Sequence, residues 1–238
     1  MKTKVICYMM SSVDGRLHPE RYTELYDGTN KQETAMLYFE EGNKMNADGL
    51  LVGRTTFHGH FMPDTYKGQG TTPIKDFGSH KAVKKSGSTI IVSDRSGKIL
   101  YERTEHTEND SYIAILGEGV SQEYLEHLRK NEVSYVFAGA DGNDFAKALE
   151  VLHDDFGIKT VLLKGGAVLC GAFLKAGLID ELSLMVYPGV DGLSGVPSIF
   201  EYQGEKDELP AAGQALELLS AEKMPYGIVW LKYRFHKI

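Results

Sequence analysis

Three short stretches of this 238-residue chain put phosphate-handling groups where an apolar run gives way to a helical pattern. The first is Gly165-Gly166-Ala167-Val168-Leu169, directly after Val161-Leu162-Leu163-Lys164. A glycine pair at such a step either makes only a tight turn or lets a ligand phosphate reach backbone N–H groups at a positive helix end. The second is Gly53-Arg54-Thr55-Thr56, after the run Gly49 to Val52. Gly53 permits close backbone approach, Arg54 offers forked donors for an anion, and Thr55 and Thr56 offer hydroxyls and N–H groups at a helix start. The third is Ser93-Asp94-Arg95, which closes a β-branched run from Ser88. In open α/β sheets ligands collect at the carboxyl ends of strands, and all three clusters sit at such ends.

Proton-handling groups are more scattered. Asp14, in Ser11-Ser12-Val13-Asp14-Gly15, follows an apolar run. It either bonds the backbone N–H groups of its own turn or handles a proton directly. Glu33 shares a helical pattern with Glu40 and Glu41, where a solvated face competes with a carboxylate turned toward a heterocycle. His58, His60 and Asp64 are candidates by position alone. Lys164 either binds an anion or caps a sheet edge. The sequence has no G-x-G-x-x-G followed by a distant acid, no P-loop, and no G-x-S-x-G elbow, which argues against three common enzyme classes. It has no Cys/His cluster of metal-ligating spacing, so no metal is expected. Cys7 and Cys170 lie in apolar segments and are expected as buried free thiols.

The elements that must carry these groups follow from periodicity. Strands are expected at residues 4–10, 49–52, 88–93, 111–116, 133–138, 160–164 and 182–187. Helices are expected at 29–45, 121–130, 143–156 and from the glycine pair to Gly177. Residues 58–87 mix Gly, Pro, His and Lys and are expected as helix fragments and loop. The alternation from 112 to 164 implies parallel neighbours in a sheet covered on both faces. The tail alternates at 215–223 and 228–236 around Met224-Pro225-Tyr226-Gly227, which predicts a terminal antiparallel hairpin. The first ten residues read as a strand rather than a signal peptide.

The run Gly165, Gly166, Leu169, Phe173, Leu174, Leu178, Asp180, Glu181, Pro188, Gly192 resembles a GG-x-x-L pattern ending in DE and then Pro and Gly. Met9 to Arg16 is similar to an S-x-DG first-strand signature, and Ala47 to Thr56 to an AD-x-x-x-x-GR-x-T segment. Together, in this order, they resemble the reductase domain of riboflavin biosynthesis, the RibD C-terminal domain family of the dihydrofolate reductase-like superfamily.

That resemblance implies one α/β domain over 1–238: a mostly parallel mixed sheet, helices on both faces, and a C-terminal antiparallel hairpin. It implies NADPH as cofactor, with Arg54, Ser93 and Arg95 reading the 2′-phosphate. Gly165, Gly166, Ala167, Val168 and Leu169 would face the pyrophosphate, and Gly53, Thr55 and Thr56 would complete the cofactor set. Ser11, Ser12 and Asp14 would shape the substrate pocket. The implied activity resembles reduction of 5-amino-6-(5-phosphoribosylamino)uracil by a free-standing reductase, because the deaminase half with its zinc motif is absent. A dihydrofolate or other pterin-like reductase and a non-catalytic NADP(H)-binding homologue are the alternatives. The chain departs from the family at Phe57 to Asp64, which replaces a DnP-x-L motif carrying an Asp. It departs again at Lys164, where family members commonly show Glu. Asp14, Glu33, His58 and Asp64 remain the candidate proton donors. The resemblance also implies a homodimer.

Bulk properties agree with a small-molecule enzyme. Net charge is −7 with no basic stripe, which argues against nucleic acid as a partner. No apolar run approaches the roughly 20 residues that cross a bilayer. A cytoplasmic protein acting on a small heterocyclic substrate is expected.

Overall fold

The structure, a computed structural model, describes residues 2–68, 70–102, 104–105 and 107–238. In chain order its elements are β1 (Lys4–Ser11), α1 (Lys31–Lys44), β2 (Gly49–Gly53), α2 (Arg54–His60), β3 (Thr89–Ser93), β4 (Ser111–Leu116), α3 (Gln122–Lys130), β5 (Ser134–Phe137), α4 (Phe145–Phe156), β6 (Thr160–Leu163), α5 (Ala167–Lys175), β7 (Glu181–Val186), β8 (Gln214–Lys223) and β9 (Val229–Lys237). This is the expected α/β architecture: a mixed sheet flanked by helices, closed by an antiparallel hairpin. Contacts divide the chain into two compact units, Asp48–Val161 with Thr3, and Lys4–Ala47 with Leu162–Ile238.

In the first unit the strands run β5-β4-β3-β2, every neighbouring pair parallel. Their sequences are near-continuous Ile, Val and Leu because both faces are covered. Two helices start on side-chain caps that satisfy orphan N–H groups: Ser121 accepts from the Tyr124 N–H and Asp144 from the Lys147 N–H. Helix α4 stops at Gly157, whose φ of 67° suits a residue without Cβ. The core around α2 is aromatic, with Phe57 packed against Tyr101 and Tyr112. The expected helix fragments beyond His60 are not formed: among the described residues, 61–87 hold no helix. Single bridges tie this segment down instead, at Thr65–Ile99, Pro73–Ser121 and His80–Tyr135. Without an apolar stripe the segment has no helical face to bury, so its order comes from the backbone groups it borrows.

In the second unit the order is β6-β1-β7-β9-β8. Strands β1 and β7 are parallel, while β9 runs antiparallel to both β7 and β8. Asp180 fixes the start of this arrangement. Its N–H donates to the Val5 carbonyl at 2.9 Å and its carboxylate accepts the Val5 N–H at 2.8 Å. On β9, buried Trp230 donates its indole N–H to the Ser183 hydroxyl at 2.8 Å, satisfying both groups. Met224 to Gly227 make the hairpin turn, with Tyr226 and Gly227 both at positive φ.

Candidate functional site

The first unit brings the residues after Gly53 and after Ser93 together through strand register. Strands β2 and β3 pair with Gly53 opposite Ser93. Their carboxyl ends therefore lie side by side, and the residues that follow meet. The exposed Arg54 side chain donates to the Ser96 hydroxyl at 2.9 Å. Its guanidinium lies 3.9 Å from the Asp94 carboxylate, which is fully buried. Ser93 is buried at the strand end, and Arg95 is exposed and donates to the Asn143 side chain. Thr55 and Thr56 follow on α2, which is only seven residues long.

Asp94 is the acid that the sequence sets beside this cluster, and its carboxylate points inward. It accepts from the Lys98 N–H at 2.9 Å, the Ile99 N–H at 3.2 Å and the Tyr124 hydroxyl at 2.5 Å. Desolvation raises its pKa, against the opposing pull of Tyr124, the two backbone donors and Arg54. The charge is thus spent on the 94–99 turn, leaving two exposed guanidiniums near one strand edge.

The second unit carries the glycine step. Gly165 has φ of 98°, a conformation that favours glycine, and a Cβ there would crowd the end of the Met9 side chain at 3.3 Å. The Gly165-Gly166 peptide is cis. Gly166 caps α5 without a side chain, so the N–H groups of Ala167, Val168 and Leu169 start the helix with no side-chain acceptor at the cap. Ala167 and Leu169 are buried while Val168 is exposed.

Immediately before this turn, Lys164 follows β6 and sits in an aromatic cage. Its ammonium lies 4.5 Å from the Tyr38 ring centroid, 4.7 Å from Phe39 and 5.5 Å from Tyr8. Tyr8 and Tyr38 are themselves stacked at 4.5 Å, and each hydroxyl donates to the other's backbone carbonyl. Desolvation lowers the Lys164 pKa to about 8.

The turn after β1 is built by the residues expected there. Gly15, at φ of 78°, donates its N–H to the Ser12 carbonyl. The Ser12 hydroxyl donates to Asp14 at 2.6 Å and accepts the Arg16 N–H at 2.9 Å. Ser11 is buried, with its hydroxyl on the Ser12 carbonyl. Asp14 also accepts the Asp191 and Gly192 N–H groups, at 3.1 and 2.9 Å, and so fastens the Pro/Gly-rich loop after β7 to this turn. The Ser12 hydroxyl and the Gly192 N–H hold its carboxyl at about 2.

Of the four candidate proton donors, Asp14 and Glu33 belong to the second unit and His58 and Asp64 to the first. Asp14 sits in the turn just described. Glu33 is exposed in the first turn of α1 and hydrogen-bonds Tyr226. His58 pairs through Nδ1 with the Met62 carbonyl at 2.7 Å, and exposed Asp64 offers its backbone carbonyl to the Leu100 N–H. Sequence reasoning missed Ser96 and Tyr124. Ser96 directly follows the quoted triplet, whereas Tyr124 carries no local signal.

Among the described residues no helix is long and apolar enough to cross a membrane, and no cluster of metal-ligating side chains occurs. Comparison with known proteins agrees with the fold. The chain is 26% identical over 209 residues to the 2,5-diamino-6-ribosylamino-4(3H)-pyrimidinone 5′-phosphate reductase of Aquifex aeolicus, covering 85% of this chain and 84% of that one. It is similar in structure to a pyrimidine reductase-like protein from Corynebacterium diphtheriae, with a TM-score of 0.62 at 15% identity over 100% of this chain and 92% of that one. It is also similar to the riboflavin biosynthesis reductase Rib7 of Saccharomyces cerevisiae, with a TM-score of 0.60 at 16% identity over 99% and 90% of the two chains. The sequence model of the RibD C-terminal domain matches residues 3–230. A match of that extent, on a fold shared with pyrimidine reductases, means that this chain belongs to the RibD C-terminal domain family of reductases.

Proposed function

We propose that this protein is an NADPH-dependent reductase of a ribosylamino-pyrimidine 5′-phosphate, the substrate class named for its Aquifex relative. The observation that carries the cofactor choice is the inward turn of Asp94. With that carboxylate held by Tyr124, Lys98 and Ile99, Arg54 and Arg95 remain available to an anion, which suits a 2′-phosphate. The residues fit the rest of the cofactor as well. Gly165 supplies the positive φ that the turn into α5 needs, and the uncapped start of α5 offers N–H groups suited to a pyrophosphate.

When bound, NADPH supplies a hydride with its two electrons. The chain's own residues hold and orient the reactants. Gly53, Arg54, Thr55, Thr56, Ser93 and Arg95 take the adenosine phosphate end. Gly165, Gly166, Ala167, Val168 and Leu169 take the pyrophosphate. Ser11, Ser12 and Asp14 shape the substrate side by fixing the first turn. Asp14 does this as an ionised acceptor of three hydrogen bonds, a state that cannot donate a proton at neutral pH. We further propose that residues 1–238 work as one reductase domain and pair as a cytoplasmic homodimer. The exposed Leu216, Leu218 and Leu219 of the outermost strand β8 support the pairing.

The test is NADPH oxidation followed at 340 nm with the diaminopyrimidine ribosylamine phosphate, the corresponding aminouracil and dihydrofolate in parallel. Turnover with a pyrimidine phosphate supports the proposal. Turnover with dihydrofolate alone would replace it with the pterin reading, and oxidation with none would leave a binding protein.

A further inference from the structure

The reduction of a C=N bond needs a proton as well as a hydride, and Asp14 does not meet that need. We propose that Lys164 is the proton donor, presenting its ammonium from the Tyr8–Tyr38–Phe39 cage at the carboxyl end of β6. This inference rests on the reductase function proposed above.

Three observations converge on Lys164. It directly follows the last residue of β6, at the strand end where α/β sheets collect ligands, and directly precedes the glycine turn. Its ammonium faces three aromatic rings within 5.5 Å, which stabilise a cation without taking any of its three N–H bonds. Among the described residues its ammonium meets those rings and no carboxylate, so an incoming acceptor has no ion pair to displace. The titratable groups facing it are Tyr8 from β1 and Tyr38 from α1. Both phenols donate to backbone carbonyls and are shifted upward by burial, so both stay neutral. On α1 the nearby Glu41 is paired with Lys44 at 2.7 Å, and Glu40 is exposed. Desolvation alone brings the amine down to about 8, close to the pH at which proton transfer is most effective.

The step balances. The imine carbon gains hydride and its two electrons. The π pair of C=N moves to nitrogen and takes the proton from Lys164 Nζ, giving a secondary amine. Lys164 is left neutral and is reprotonated by water.

Two readouts test this. The first is 13C NMR of protein labelled at lysine Cε, with Lys164 assigned from Lys164→Arg. Its resonance should titrate near pH 8 while the other lysines titrate above about 10. The second is kcat against pH. The wild-type rate should fall above pH 8, and Lys164→Arg, which keeps the charge but holds its proton, should lose on the order of a hundredfold in kcat with no basic limb. NADPH affinity, read by fluorescence, and circular dichroism should be unchanged in Lys164→Arg and Lys164→Met. Wild-type kcat and pH profile in Lys164→Arg would overturn the proposal, as would a Lys164 resonance titrating with the surface lysines. If wild-type protein reduces no pyrimidine phosphate, the reductase reading itself falls and the donor role falls with it. If wild-type turns over and only the variants fail to differ, Lys164 alone is wrong.

Discussion

The Arg54 guanidinium lies 3.9 Å from the carboxylate of Asp94, yet that carboxylate is fully buried while Arg54 stays partly exposed. Asp94 is held from within by Tyr124 and two backbone N–H groups, so its carboxylate is turned inward while the guanidinium reaches solvent and the Ser96 hydroxyl.

Removing the arginine should therefore separate the two nicotinamide cofactors. Arg54→Ala deletes a charge-assisted contact of about 1.5–3 kcal/mol, so NADPH should bind about ten- to a hundredfold more weakly. NADH affinity should barely move. Fluorescence titration with both cofactors checks this, and equal losses would mean that Arg54 reads something other than the 2′-phosphate.

Removing the acid should cost stability as well as binding. Asp94→Ala removes the shared acceptor of the Lys98 and Ile99 N–H groups and of the Tyr124 hydroxyl, which keeps only the Ile99 carbonyl at 3.1 Å, a loss of about 3 kcal/mol. For a chain of this size that corresponds to a fall of roughly 6–12 °C in Tm. A thermal shift within a degree of wild type would show that the 94–99 turn does not depend on this carboxylate.

At the glycine step, bulk should block the cofactor without unfolding the chain. Gly166 has φ of −74° and ψ of −177°, ordinary extended backbone that valine also adopts. Gly166→Val should keep a wild-type circular dichroism spectrum while NADPH titration fails. Normal NADPH binding by this variant would remove the α5 start from the site.

Asp14 should show itself in acid. Its carboxyl is held at about 2 by Ser12 and Gly192, below the ordinary value near 4. A lowered pKa gives stability that is present above about pH 4 and lost as pH falls toward 2. Asp14→Asn should flatten that part of the Tm–pH curve and retain much of the turnover. Asp14→Ala should lose both activity and thermal stability. Collapse of turnover in Asp14→Asn, with Tm and NADPH affinity unchanged, would make Asp14 the proton donor instead of Lys164.

How much of this was legible in the sequence depends on distance along the chain. The strands around Ile90–Val92 and Ile113–Leu116 were readable because burial on both faces leaves a β-branched run. The ends of α3 and α4 were readable from Ser121 and Gly157, whose roles are local. The role of Asp94 was not, because Tyr124 arrives from α3 thirty residues later and the sequence shows only an acid beside Arg95. The cage of Lys164 was hidden for the same reason, being built by Tyr8 and Tyr38 far upstream. Of the helix fragments and loop expected over 58–87, helix is found only at 58–60, the end of α2, among the described residues, because irregular backbone held by isolated bridges leaves no periodic trace.

The central claim, that this chain passes a hydride from NADPH to a ribosylamino-pyrimidine phosphate, is tested most directly with NADPH carrying deuterium at both hydrogens of the nicotinamide C4. The product of a complete turnover, analysed by mass spectrometry, should carry one deuterium on the carbon that was part of the C=N bond. An unlabelled product, or cofactor left unoxidised in the presence of saturating pyrimidine substrate, would contradict the account.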